Sequence, residues 1–101
     1  MTRVPALTFE WDDAKARANV RKHGISFEEA STAFADASAL LLDDDDHSEA
    51  EERFVLLGMS ARARTLVVCH CVREEGAMIR IISARRANRS ERGRYARGET
   101  P

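Results

Sequence analysis

Thr65-Leu66-Val67-Val68-Cys69-His70-Cys71-Val72-Arg73 is followed, after Glu74-Glu75-Gly76-Ala77, by Met78-Ile79-Arg80-Ile81-Ile82-Ser83-Ala84-Arg85. Two apolar, β-branched runs joined by a short turn with a glycine read as a β-hairpin. Gly76 is the residue in that turn that tolerates a positive φ. Both runs are nearly continuous in apolar residues, which predicts a sheet covered at least in part on both faces. Strand alternation places Ile79, Ile81, Ser83 and Arg85 on one face and Met78, Arg80, Ile82 and Ala84 on the other. Arginines set among isoleucines need an anionic partner or a path to water. They are therefore either ion-paired to the acidic part of the chain or a clamp for phosphate.

Upstream of the hairpin, Arg53 to Met59 contains Phe54, Val55, Leu56 and Leu57 and predicts another strand. Ala39 to Leu42 predicts a short one, and Ser60 to Arg64 a turn. Between these strands, Asp43-Asp44-Asp45-Asp46-His47 starts an acidic, solvated loop that runs to Glu52. Four antiparallel strands result. Helix signals flank them. Asp12 caps a helix from about Asp13 to His23, which Gly24 stops. Ser26 and Glu29 form a capping box for a second helix that ends near Ala35 or Asp36, with Phe27, Ala30 and Phe34 on its apolar face. Asn88 and Glu91 repeat that logic for a last helix, Arg89 to about Arg97, ending at Gly98. The fold class is α+β: two N-terminal helices, a four-stranded antiparallel sheet and a C-terminal helix, in a single domain over residues 1–101.

The formal net charge of −1 hides an asymmetry. Residues 1–52 carry 5 basic and 13 acidic side chains, and residues 53–101 carry 11 basic and 4 acidic. The basic half is all arginine, the side chain suited to bidentate phosphate contact. No apolar run is long enough to span a bilayer, and Met1 to Glu10 lacks a signal-peptide pattern, so a cytoplasmic location is expected. Cys69 and Cys71 are expected to be reduced there. Cys69-His70-Cys71 is not read as a metal site, because in a strand the histidine points away from both thiols. The aspartate run lacks the spacing of a calcium loop. Nucleotide-binding glycine motifs and the nucleophile elbow are absent from the sequence. No cofactor is expected.

Three groups of residues could carry chemistry. Lys15, Asn19, Lys22 and His23 share one side of the first helix, with Trp11 a turn earlier. They suit phosphate contact beside a base-stacking platform, or form an ordinary solvated face. Arg80, Ser83, Arg85 and Arg86 stand on or just past the last strand. Arg89, Arg92, Arg94, Tyr95 and Arg97 give the last helix a basic stripe with one aromatic, suited to an RNA backbone or to water.

Taken in order, Phe9-Glu10-Trp11-Asp12, Lys22-His23-Gly24-Ile25 with Phe27-Glu28-Glu29-Ala30, Glu51-Glu52-Arg53-Phe54, and Ile79 to Arg85 with Glu91-Arg92 and Tyr95 resemble the BrnT family of toxins, partners of BrnA antitoxins. The resemblance spans about Phe9 to Tyr95. It implies a fold like that of the RelE and ParE toxins, and a ribonuclease that arrests translation. It also implies neutralisation by a DNA-binding antitoxin that supplies the operator contact, with a homodimer inside the complex as an open alternative.

Metal-free RNA cleavage uses the 2′-hydroxyl as nucleophile and needs a base, an acid and cations on the phosphate. Histidine is the residue type whose ordinary pKa suits proton exchange near neutrality, which makes His23 a candidate. Lys22, Lys15, Arg53, Arg80 and Arg85 are candidates to hold the scissile phosphate, and Tyr95 to stack or donate a proton. Trp11, Asn19, Arg86, Arg89 and Arg92 complete the expected RNA contacts. A non-catalytic module that binds an acidic partner through the same arginines is the alternative. DNA binding by this chain ranks last, for want of a helix-turn-helix signature.

Overall fold

In the computed structural model the described residues are 7–43, 53–73 and 76–98. Glu74, Glu75 and the acidic loop over 44–52 lie outside them.

The helices form where the caps predict. Helix α1 spans Asp13–His23, with Lys15 N–H donating to the Asp12 side chain and Gly24 closing it at φ 71°. Helix α2 spans Phe27–Thr32, capped by Ser26, and runs into a 3-10 turn at Ala33–Ala35. Helix α3 spans Arg89–Arg97 and carries the full Asn88–Glu91 capping box.

Among the described residues the sheet has five strands, not four. They are β1 (Thr8–Glu10), β2 (Leu40–Asp43), β3 (Phe54–Met59), β4 (Thr65–Arg73) and β5 (Met78–Arg86), in the spatial order β1-β5-β4-β3-β2. β1 pairs with β5 in parallel, Thr8 opposite Met78 and Glu10 opposite Arg80. The remaining pairs are antiparallel. The expected all-antiparallel sheet is therefore corrected to a mixed one. Three residues are too few to show a period-two pattern, and their partner lies at the other end of the chain.

Two cores sandwich the sheet. On the first face, α1 and α2 bury Ile25, Phe27 and Ala30 against Leu56, Leu66, Val68, Ile79, Ile81 and Ala84. There Gly58 lets the 3-10 turn approach β3: a Cβ would stand 3.1 Å from Ala33 O and 3.1 Å from Ala39 Cβ. On the second face, Leu40, Leu57, Val67 and Ala87 form a smaller core, with Leu42, Val55 and Tyr95 of α3 packed at its margin.

A β-bulge decides which arginines share a face. Cys69 pairs with Ser83 but His70 pairs with Ile81, so Ile82 has no opposite residue. The extra residue reverses the alternation of β5. Ile79, Ile81 and Ala84 all reach the first core, and their neighbours Arg80, Ser83 and Arg85 fall together on the second face. Strict alternation had separated Arg80 from Arg85, and the bulge corrects that expectation.

Candidate active site

The second face is built in rows that cross the sheet. One row holds Glu10 of β1, Arg80 of β5 and Cys71 of β4. Arg53 extends it on the far side, because it precedes Phe54, the partner of His70, and alternates with Val55 and Leu57 of the second core. The next row holds Ser83, Cys69 and Val55, and beyond it lie Arg85, Val67 and Leu57. Helix α3 covers the Leu57 end. The Arg53–Arg80 end has no helix over it among the described residues.

Two of the three arginines on β5, Arg80 and Arg85, are held by carboxylates. Arg80 Nη1 donates to Glu10 Oε2 at 2.8 Å, across half-exposed side chains. Arg85 makes a bidentate pair with Glu91, at 2.8 Å from Nη1 to Oε1 and 2.8 Å from Nη2 to Oε2. Glu91 Oε1 also accepts the Asn88 N–H, so the carboxylate that caps α3 also orients Arg85. The Arg85 hydrogen bonds hold Glu91 below the usual carboxylate range despite burial, and Glu91 in turn raises Arg85. Arg53 differs from both. Its Nε is buried with no hydrogen-bond partner among the described residues. Such a donor is costly unless a ligand completes it.

The remaining sequence candidates are dispersed. Asn19 does not face RNA: it is buried, its Nδ2 donates to Ile25 O at 2.9 Å and Ala84 O at 2.8 Å, and its Oδ1 accepts the Ala84 N–H at 3.1 Å. It satisfies the edge of β5 beyond the point where β1 ends. Trp11 packs on the first core, its ring edge-to-face with Phe27 at 6.0 Å, and lines a shallow cavity with Ala16, Val20 and Phe27. Lys15 and Lys22 are exposed and His23 half-buried on α1, which packs on the face opposite the arginines. The Tyr95 hydroxyl is committed to Asp36 Oδ2 at 2.6 Å. That hydrogen bond raises the phenol's pKa, which disfavours it as an acid. Asp36 also accepts the N–H groups of Met59 and Ser38, which together with Tyr95 outweigh its burial and keep its pKa low. Arg92 donates to Ala87 O, and Arg86 and Arg89 are exposed near the start of α3. His70 is buried on the first face, away from both cysteines.

The sequence matches the family described as ribonuclease toxin, BrnT, of type II toxin–antitoxin systems over residues 11–91. This chain belongs to the BrnT family. The fold agrees: the crystal structure of the Brucella abortus ribonuclease toxin BrnT superposes with a TM-score of 0.62 at 21% identity, covering 83% of this chain and 100% of that one. No curated protein matches the sequence. Membership in BrnT carries a ribonuclease toxin activity, an RNA substrate and an antitoxin partner. No helix among the described residues is long and apolar enough to cross a membrane.

Glu10 and Glu91 were not singled out for the site by sequence reasoning. Glu91 was legible only as a cap, and Glu10 only as part of a resemblance. The charge requirement of two arginines in an apolar strand was the available signal. It called for two anionic partners without naming them.

Proposed function

We propose that this BrnT chain is a metal-independent endoribonuclease that cuts RNA through the substrate's own 2′-hydroxyl and thereby arrests translation in the cytoplasm. The pairing of Arg53 and Arg80 on either side of Cys71 carries this reading. Strands lie about 4.8 Å apart, so the two backbones are about 10 Å apart across β4, and two arginine side chains can meet over one phosphate at that span. Arg53 brings an unpaired buried donor, and Arg80 a guanidinium already oriented by Glu10. Such preorganised donors stabilise the charge gained by a phosphorane.

Arg85 stands opposite Val67, four residues along β4 from Cys71, or about 13 Å. It suits a neighbouring phosphate of the same strand, and exposed Arg86, Arg89 and Arg92 extend the basic path. Lys15, Lys22 and His23 would serve RNA that passes around the β5 edge. A BrnA-like antitoxin would neutralise the toxin and supply the contact to operator DNA.

The test is an antitoxin-free preparation incubated in EDTA with a labelled RNA, beside the same RNA carrying a 2′-deoxy residue at the cut. Cleavage leaving a 2′,3′-cyclic phosphate, and abolished at the deoxy position, is expected. Intact RNA in both, with and without translating ribosomes, would leave a non-catalytic binding module.

A further inference from the structure

We propose that Glu10 is the general base that deprotonates the 2′-hydroxyl, an assignment that rests on the ribonuclease reaction proposed above. A base for that step must lie beside the cations that hold the phosphate, within hydrogen-bond reach of the 2′-oxygen. The described carboxylates near the second face are few, and most are occupied. Glu91 has both oxygens on Arg85, one of them shared with the Asn88 N–H. Asp36 accepts from Tyr95, Met59 and Ser38. Asp12, close enough to Arg80 to feel its charge, caps α1 through Lys15 N–H. Among the described residues no histidine lies on this face: His70 is buried on the first face, and His23 ends a helix packed there.

Glu10 is different. Its Oε2 accepts from Arg80, its Oε1 has no partner among the described residues, and its side chain is 37% exposed. The parallel register of β1 sets it directly opposite Arg80, at the open end of the row that contains Arg53. A phosphate seated between Arg53 and Arg80 would place the adjoining ribose within reach of that carboxylate.

The step balances without a co-reactant beyond water. Glu10 takes the 2′-hydroxyl proton, the 2′-oxygen bonds to phosphorus, and the bond from phosphorus to the 5′-oxygen breaks. Water protonates the departing 5′-oxygen, and the hydroxide left behind takes the proton from Glu10. The products are a 2′,3′-cyclic phosphate and a 5′-hydroxyl.

Steady-state cleavage of a short RNA by the full chain, wild type against Glu10→Gln, tests the assignment. Glutamine keeps an acceptor for Arg80, so the strand pairing is retained. A fall of about 10²- to 10⁴-fold in kcat is expected, with KM changed by no more than a few-fold. The wild-type rate should rise with pH along an acid limb that Glu10→Gln lacks, and added formate should restore part of the rate to Glu10→Ala. If the wild type forms cyclic phosphate and Glu10→Gln keeps its kcat, or if the wild-type profile has no acid limb, Glu10 is not the base. If the wild type forms no cyclic phosphate, the reaction itself falls, and the role of Glu10 with it.

Discussion

The first face of the sheet is closed and the second is partly open, and they treat polar groups in opposite ways. On the closed side the described buried polar side chains Asn19, Glu29, Ser60 and His70 each make hydrogen bonds within the protein. Asn19 bonds three backbone groups. Glu29 accepts from Ser60 at 2.7 Å and from Arg64 Nε at 2.9 Å, and forms a second contact with Arg64 Nη2. His70 Nδ1–H donates to Val68 O, and its ring meets Phe34 edge-on. On the open side the arginines sit over a thin apolar layer, and Arg53 keeps a donor without a partner. Fully satisfied buried groups define a structure, whereas an unsatisfied one beside open surface calls for a ligand.

That contrast predicts which substitutions separate folding from activity. Arg53→Ala should give the larger effect, lowering kcat by about 10²- to 10³-fold, as loss of one preorganised donor does. Its thermal midpoint should stay at or above that of the wild type, because a buried unpaired donor is removed. A variant that cleaves normally would show that the open face is not the site.

Asn19→Ala should behave in the reverse sense. It strips the partners from Ala84 and Ile25 backbone groups and should cost about 1–3 kcal/mol in denaturant unfolding. Cleavage per folded molecule should stay near that of the wild type. A loss of RNA affinity with unchanged stability would return Asn19 to the RNA surface.

The smallest effect is in pH. Burial lowers the pKa of His70, and its hydrogen bond to Val68 only partly offsets this. The unfolded chain therefore takes up a proton that the folded chain refuses. Stability is complete above the ordinary histidine value near 6.5. It is lost as pH falls through that value toward the lower folded one, by at most about 1.4 kcal/mol per pH unit for one proton. Glu29 and Glu91 are held low, chiefly by Arg64 and Arg85, so their contributions disappear only below the ordinary glutamate range. Urea unfolding between pH 8 and 5 should show the histidine step in the wild type and not in His70→Leu. An identical step in both would move its origin elsewhere.

Local signals located the elements well. Asp12, Ser26, Asn88, Gly24 and Gly98 marked helix ends, because a cap is a contact between neighbours in sequence. The hairpin of β4 and β5 was legible for the same reason. The site was legible only in part. Arg53, Arg80 and Arg85 stood out as charges in apolar strands, and all three lie on the second face. Asn19 and Tyr95 were chosen by the same chemistry, yet their polar atoms are bonded inside the protein.

Residue types and their spacing thus determined the helices, the four longer strands and the need for anions beside Arg80 and Arg85. Tertiary structure alone decided the rest. β1 exists because β5 offers an edge to three residues far away in sequence, and Asn19 is structural because that edge then ends. The face on which Arg85 points follows from one unpaired residue, Ile82. A bulge is a property of two strands in register, and the alternation of a single strand cannot contain it.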